Sequence, residues 1–280
     1  MGKQQPAGAG PAVTSGARTA PPHDTRFLWW RAAQFWLVVA RRWWRSLVLR
    51  SFLEPLLYLF GLGFGLGTLV DDSGNAPGGV PYAAYVASGV LVASAMQSAF
   101  SESAWPVMGA IKWQRQYHAQ LASPLRVGDV LVGHLVFMLL RLVAAVVPFW
   151  LVMVALGLVS WPTAPLALLA ALLCGMAFAT PMAAFAATAD SDASFALILR
   201  FAIIPMFLFS GVFFPVSDLP VWLQPVVWAT PLWHGVELSR AAALGTGMQA
   251  WAAAGHVLYL LLLAGAGLAA AVRTYTRRLR

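Results

Sequence analysis

The chain has 280 residues, of which 60% are hydrophobic and 10% are charged. This composition excludes an ordinary soluble globular domain and indicates a polytopic membrane protein, and the length suits one integral membrane domain. The formal net charge of +8 comes from basic residues near both ends of the chain and between the second and third apolar segments. That distribution is typical of loops on the cytoplasmic side of a membrane and not of a nucleic-acid-binding face. The single cysteine, Cys174, lies in an apolar segment, so the chain can form neither an intrachain disulfide nor a cysteine metal site.

The N-terminal part of the chain predicts a tail followed by an amphipathic helix. Residues 1–24 are rich in glycine, proline, alanine and small hydroxyl residues, which predicts a disordered cytoplasmic tail. Residues 25–46 place Arg41, Arg42 and Arg45 on one face at helical spacing, and their uncharged part is too short to cross about 30 Å of hydrocarbon. We therefore expect an interfacial helix whose arginines point toward the phosphates of the inner leaflet. The alternative is the start of one overlong first span, which would bury those arginines at a cost of several kcal/mol each.

Six apolar segments predict six transmembrane helices, which form the membrane domain of residues 47–272. They run approximately from Leu47 to Val70, Tyr82 to Ser103, Val130 to Val159, Leu166 to Ala189, Phe195 to Phe214 and Trp251 to Val272. An even number of spans places both termini on one side of the membrane. The arginines before the first span and in the basic tail of residues 273–280 place that side in the cytoplasm. The expected fold is therefore an all-α, polytopic integral membrane protein.

The segment between the fifth and sixth spans has a composition of its own. Its four prolines interrupt any continuous helix; they are Pro215, Pro220, Pro225 and Pro231. Its tryptophans suit the boundary between lipid and water, where an indole places its ring in lipid and its N–H among headgroups; they are Trp222, Trp228 and Trp233. We therefore predict a short interfacial or re-entrant segment on the outer side, before the last span.

Four ionisable residues fall inside predicted spans, where a charge is costly unless it is paired or faces a cavity. They are Glu54, Glu102, Arg141 and Arg200. Glu54 follows Arg50 by four residues, which favours a local ion pair at headgroup level, and Arg200 can extend to the inner surface. Glu102 can cap or contact the loop that follows it. Arg141 has no opposite charge within one helical turn and needs a partner on another helix or a hydrated pathway, so all four are candidates for polar groups of a conduit.

The sequence offers no catalytic or metal-binding constellation. The histidines lack the spacing of a helical metal pair such as HExxH. Asp190 and Asp192 flank one serine in a short loop, where carboxylates are usually solvated helix caps. The chain also has no Walker A motif, so any ATP hydrolysis that drives it must take place in another protein.

One long stretch resembles a known family of membrane proteins. The sequence SGVFFPVSDLPVWLQPVVWATPLWHGVELSRA, from Ser210 to Ala241, resembles the last third of the ABC-2 type permeases, and within them the branch that exports nodulation factors and lipooligosaccharides, related to the daunorubicin-resistance permeases. The resemblance extends over residues 26–280. It implies the permease subunit of an ABC exporter in the bacterial plasma membrane, moving a lipid-linked glycan, a glycolipid or an amphiphilic drug. It also implies a dimer with an identical or homologous permease, and two copies of a separate ATPase that binds ATP and Mg.

The loop after the second span carries a further resemblance. The sequence KWQRQYHAQLASPLRVGDV, from Lys112 to Val130, is similar to the segment that forms the coupling helix in such permeases, which docks on the ATPase. The resemblance implies that Lys112, Arg115, Tyr117 and Leu121 contact the ATPase, with Tyr117 and Leu121 forming an apolar knob. Many relatives carry a glutamate near the start of this helix, and this chain has none there. The alternative is a solvated connector, and the loop with Asp190 and Asp192 is the other candidate contact.

A different class of function, a polytopic membrane enzyme or an ion-coupled carrier, remains an alternative at this point. A proton-coupled carrier needs acidic residues deep in several spans. The chain has no aspartate or glutamate between Asp129 and Asp190, which favours the exporter.

Overall fold

All secondary structure in the described part of the chain is helical. The structure, a computed structural model, describes residues 28–74 and 77–279. Its helices are α1 (Leu28–Tyr58), α2 (Gly67–Asp72), α3 (Tyr82–Ser103), α4 (Trp105–Met108), α5 (Gln116–Leu121), α6 (Val127–Ala155), α7 (Ala164–Thr188), α8 (Ala193–Ile198), α9 (Ile204–Phe209), α10 (Gln224–Trp228), α11 (Pro231–Leu244) and α12 (Ala250–Leu279). π-Helical stretches at Leu59–Leu66, Gly109–Trp113 and Leu199–Ile203 join neighbouring helices. The predicted all-α class is confirmed for this part, and the predicted tail of residues 1–24 lies outside it.

Four helical segments are long and apolar enough to cross a membrane. Among the described residues they are Tyr82–Trp113, Val127–Ala155, Ala164–Thr188 and Ala250–Leu279. They overlap the predicted second, third, fourth and sixth spans, and the second and sixth extend beyond their predicted ends, to Trp113 and to Leu279. At 1.5 Å per residue, even the shortest is about 37 Å long, which exceeds the hydrocarbon thickness of about 30 Å. The chain is therefore a multi-pass membrane protein. A shorter apolar helix, Ala193–Phe209, takes the place of the predicted fifth span.

The N-terminal helix is longer than the sequence predicts. The expected boundary near residue 46 does not appear, since α1 runs without a break and continues through Leu59–Leu66 into α2. No glycine or proline occurs between residues 28 and 54, so nothing in the backbone ends the helix there. The path of the backbone therefore matches the alternative stated above, in which the N-terminal segment is the start of one overlong first span. Arg41 is exposed. The structure describes the backbone of Arg42, Arg45 and Glu54 but not their side chains.

The second span also continues past its predicted inner end. The chain bends at Ala104 and resumes as α4 and the stretch Gly109–Trp113. Pro106 does not stop this helix because it lies in the first turn of α4, where its missing N–H has no intrahelical partner to lose. The side chains of Val107 and Ile111 are buried. The polar connection between the second and third spans is therefore shorter than predicted.

The bundle packs closely because small residues lie at the helix contacts. Helix α7 contacts α3, α11 and α12, and α3 also contacts α6. A Cβ atom added at Gly235 of α11 would lie 2.7 Å from Cβ of Cys174, and one added at Gly267 of α12 would lie 2.5 Å from the backbone nitrogen of Pro181. Only glycine fits at such distances, and small residues are the usual means of helix packing in lipid. Of the four membrane-length segments, α3 is the most enclosed and α12 the least.

The segment after α9 returns into the bundle as a hairpin of α10 and α11. Pro225 and Pro231 lie in the first turns of these two helices, so the prolines start helices here. At one end of α11 the carbonyl of Ala243 accepts a hydrogen bond from Ser160 N, in the α6–α7 connection. At its other end Pro231 O lies 3.6 Å from Sγ of Cys174, ten residues, or about 15 Å, into α7. The tip of the hairpin therefore lies about halfway along α7.

Candidate coupling site at one end of the bundle

Three parts of the chain meet at one end of the bundle, which we call the α5 end. They are the connection from Lys112 to Arg126 with α5, the turn of residues 189–192 between α7 and α8, and the last turns of α12. Arg115 begins α5 with the backbone in the left-handed region, at φ 49° and ψ 29°, which is uncommon for a residue other than glycine. After α5, Arg126 N donates to Oδ2 of Asp129 at 2.9 Å and so helps to start α6.

Tyr117 points into the protein and not toward a partner. Its side chain is fully buried, and its hydroxyl is hydrogen-bonded to Nδ1 of His134 in α6 and lies 3.4 Å from the hydroxyl of Tyr275 in α12. Burial raises the pKa of Tyr117 well above its usual range, so the phenol stays neutral. Trp36 of α1 lies edge-on to its ring, with 6.2 Å between the ring centroids.

The prediction that Tyr117 and Leu121 form an apolar knob available to the ATPase is therefore wrong. The spacing of four residues does place both side chains on one face of α5, but that face packs on the bundle, and Leu121 is partly buried against the core. The exposed surface near α5 instead includes Trp113, Arg115 and His118, with Trp113 62% exposed.

The two segments that the sequence assigns to ATPase contact lie side by side. Nζ of Lys112 donates to the backbone carbonyl of Asp190 at 2.8 Å and to its Oδ1 at 3.2 Å. Arg278 of α12 lies 3.7 Å from the same carboxylate oxygen. Asp192 and Arg115 are exposed. Sequence reasoning missed Arg278, because the basic C-terminal residues were interpreted only as a marker of orientation.

A second charged pair lies inside the bundle. Arg141 of α6 forms an ion pair with Glu102 of α3, and the two side chains are 19% and 17% exposed. The guanidinium carbon of Arg141 also lies 5.7 Å from the ring centre of Phe137. Arg141 thus has its partner on another helix. Arg200, in the π-helical stretch of the short fifth helix, is exposed.

The opposite end of the bundle holds a polar group that the sequence did not single out. Arg240 of α11 donates to Gly211 O at 2.6 Å and stacks 3.7 Å above the ring of Tyr85. Gly211 has a φ of +82°, which suits glycine. Glu237 lies 3.5 Å from Arg240, one helical turn away on α11. These contacts attach α11 to α3 and to the chain that follows α9.

The predicted interfacial tryptophans differ in exposure. Trp222 is 74% exposed and Trp228 46%, whereas Trp233 is partly buried against His234 and His256. Nδ1 of His234 lies 2.7 Å from Nδ1 of His256, a pairing between α11 and α12 that linear spacing could not reveal. Among the described residues, no group of three or more histidine, cysteine, aspartate and glutamate side chains is arranged to hold a metal ion.

An all-helical bundle with four membrane-length helices among the described residues defines a multi-pass membrane protein. The family model of the ABC-2 type transporter matches residues 25–244, and the chain belongs to this family. It is similar to Nodulation protein J of Rhizobium leguminosarum bv. trifolii, at 36% identity over 217 residues, which cover 75% of this chain and 81% of that protein. It is also similar to Nodulation protein J of Bradyrhizobium diazoefficiens, at 32% identity over 251 residues, which cover 87% and 94% of the two chains. The family describes a transport subunit and not an enzyme.

Proposed function

We propose that this chain is the permease subunit of an ABC exporter that moves a lipid-linked glycan, a glycolipid or an amphiphilic drug out of the cytoplasm. ABC-2 permeases generally work as dimers with an ATPase subunit. Membership of this family supports the same assembly for this chain. The observation that carries the proposal beyond membership is the contact between Lys112 and Asp190. It unites the only two connections between predicted spans that face the cytoplasm in the predicted topology, so one ATPase surface can reach both.

The proposed topology has six spans, with α1 and α2 forming the first, α8 and α9 the fifth, and both termini in the cytoplasm. The charges of the α5 end support this orientation, since Lys112, Arg115, Arg126 and Arg278 all lie there. The α10–α11 hairpin is then a re-entrant element that enters from the outer side. The outer ends of α7, α11 and α12 enclose an apolar groove of about 650 Å³, which suits a function with amphiphilic molecules.

The proposed partners are two copies of an ATPase, which bind ATP and Mg, a second permease that is identical or homologous, and membrane lipid. The relatives are named for nodulation. Together with the resemblance of residues 210–241 to the branch that exports nodulation factors and lipooligosaccharides, this supports a glycolipid cargo over a drug. Within the bundle, Glu102 and Arg141 are the described charged groups best placed beside a conduit, and Arg200 can face lipid headgroups or a second copy.

Co-purification tests the proposed assembly. The tagged chain is expressed with a candidate ABC ATPase from the same genome, and the native mass of the detergent-extracted complex is measured. We expect two permeases with two ATPases. Trp113→Ala removes a large exposed aromatic group at the α5 end, the kind of residue that dominates interfaces, and should reduce ATPase recovery. Trp161→Ala is the matched control, since Trp161 is 75% exposed in the α6–α7 connection at the opposite end. A permease that purifies without any ATPase, or equal ATPase loss in both variants, contradicts the assignment.

A further inference from the structure

A buried polar cluster joins α5 to three long helices. Tyr117, His134 and Tyr275 come from α5, α6 and α12, and each is at most 1% exposed. The hydroxyl of Tyr117 lies between the other two polar groups. The ring of Trp36, from α1, is stacked on His134 with 4.2 Å between centroids. Polar groups in such an enclosed place are costly unless they bond to each other, which holds these side chains in one arrangement.

This cluster determines where α5 lies. A six-residue helix has no stability of its own in isolation, and Tyr117 is the one residue of α5 that is fully buried. Leu121 of α5 is only partly buried against the core. The nearby ion pair between Lys112, which precedes α5, and Asp190 has an aspartate side chain that is 93% exposed, and such pairs contribute little. A force applied to α5 therefore reaches the bundle mainly through the contacts of Tyr117.

Helix α12 extends from this cluster to the α10–α11 hairpin. Sixteen residues before Tyr275, the hydroxyl of Tyr259 donates to Ala229 O at 2.5 Å, in the turn between α10 and α11. The ring of Tyr259 is also stacked on His234 of α11, with 3.9 Å between centroids. The two contact points of α12 are about 24 Å apart along one continuous helix.

A close approach of α12 to α7 lies midway between these points. Gly267 is eight residues from Tyr259 and eight from Tyr275, and a Cβ atom there would lie 2.5 Å from Pro181 and Thr180 of α7. Thr180 Oγ1 donates to Ala264 O at 2.9 Å, next to this crossing. Helix α12 packs against α7 along one side and leaves most of its remaining surface outside the bundle. A helix that packs along one side only, with a glycine-mediated close approach at its middle, can rock about that point.

We infer that α12 is a lever that pivots on α7 at Gly267 and links α5 to the α10–α11 hairpin, with the Tyr117 hydroxyl network as its attachment to α5. The inference rests on the proposed function, since the ATPase supplies the force on α5. Movement of α5 displaces Tyr275, and the opposite arm of α12 displaces Tyr259 and the hairpin tip. This is a rigid-body transmission from the α5 end to the tip of the hairpin inside the bundle. Tyr117, Tyr275 and Tyr259 act as positioning residues.

Hydrogen exchange of the permease alone tests the attachment and the lever together. Tyr117→Phe keeps the ring and removes the hydroxyl. We expect amides of residues 116–121 to exchange about five- to tenfold faster, as loss of one buried hydrogen bond predicts, and amides of residues 224–231 to respond as well. Ser103→Ala is the matched control, because it removes another fully buried hydroxyl, one that bonds only within α3. An effect of Tyr117→Phe confined to residues 116–121, or none at all, overturns the lever.

The second measurement is export per ATP hydrolysed in the reconstituted complex. Tyr117→Phe and Tyr259→Phe should each lower this ratio by at least about threefold while ATPase binding is retained, and the double variant should be no worse than the more affected single one. Parental ratios in both single variants, or losses that multiply in the double variant, overturn the inference. If the parental chain binds no ATPase, the proposed function fails, whereas the exchange measurement still decides whether α12 links the two ends.

Discussion

At the residue scale, Arg141 and Glu102 place two charges inside the bundle, where a charge is costly. Each is mostly enclosed, and each neutralises the other across 39 residues of sequence. Removing one partner of such a pair leaves an uncompensated charge in a place with little water, which costs more than losing the attraction alone. The pair therefore holds α3 and α6 in register, whatever further role it has in a conduit.

This pairing predicts an asymmetry between single and double variants. Arg141→Met should lower the free energy of unfolding in detergent by about 3 kcal/mol, because Glu102 stays behind without its partner. Glu102→Gln combined with Arg141→Met should recover most of that loss, since no unpaired charge remains. Thermal unfolding of the three proteins checks this, and a double variant less stable than Arg141→Met would show that the pair is not the cause.

Residues also show where sequence reasoning stops. The burial of Tyr117 depends on which face of α5 packs on the bundle, and a six-residue segment carries too little periodicity to decide that. The need of Arg141 for a partner on another helix follows from the sequence alone. The identity of that partner does not, because Glu102 becomes its neighbour only when α3 and α6 pack.

At the element scale, hydropathy located the helices well because the cost of a polar group in lipid is a local property of each segment. The fourth span was expected from about Leu166 to Ala189, and α7 runs from Ala164 to Thr188. The predicted end of a separate N-terminal helix near residue 46 was wrong, because a charge pattern does not break a backbone that lacks glycine and proline. The predicted end of the second span was also wrong. Pro106 was expected to mark the end of a helix, but it lies in the first turn of the next one.

The α7–α12 crossing gives a prediction with a control on the same helix. Gly267→Ala places a methyl group where Pro181 and Thr180 already lie, and should lower the free energy of unfolding by about 1–3 kcal/mol. Gly265→Ala adds the same methyl group two residues away, where no atom lies within 4 Å, and should leave stability unchanged or slightly higher. Equal stabilities for the two variants would mean that α12 does not contact α7 through Gly267.

At the scale of the whole molecule, orientation follows from charge. Cys174 is buried, so a single added cysteine reports its own position. Thr246 is exposed in the α11–α12 connection, and Ser123 is exposed just after α5. Each is replaced by cysteine in a separate variant. A membrane-impermeant maleimide should label Thr246→Cys in intact cells, and should label Ser123→Cys only after permeabilisation. The reverse pattern would invert the topology and remove the α5 end from the ATPase.

The central claim is that ATP hydrolysis by a partner drives export through this chain, and reconstitution tests it most directly. Permease and ATPase are placed together in proteoliposomes with a fluorescent acylated oligosaccharide, and a membrane-impermeant quencher measures the fraction of probe on each side. The account predicts that Mg-ATP moves probe away from the ATPase side, and that neither ATP without the ATPase nor an imposed proton gradient does so. Movement driven by the gradient alone, with no effect of ATP, would contradict the account and would support an ion-coupled carrier.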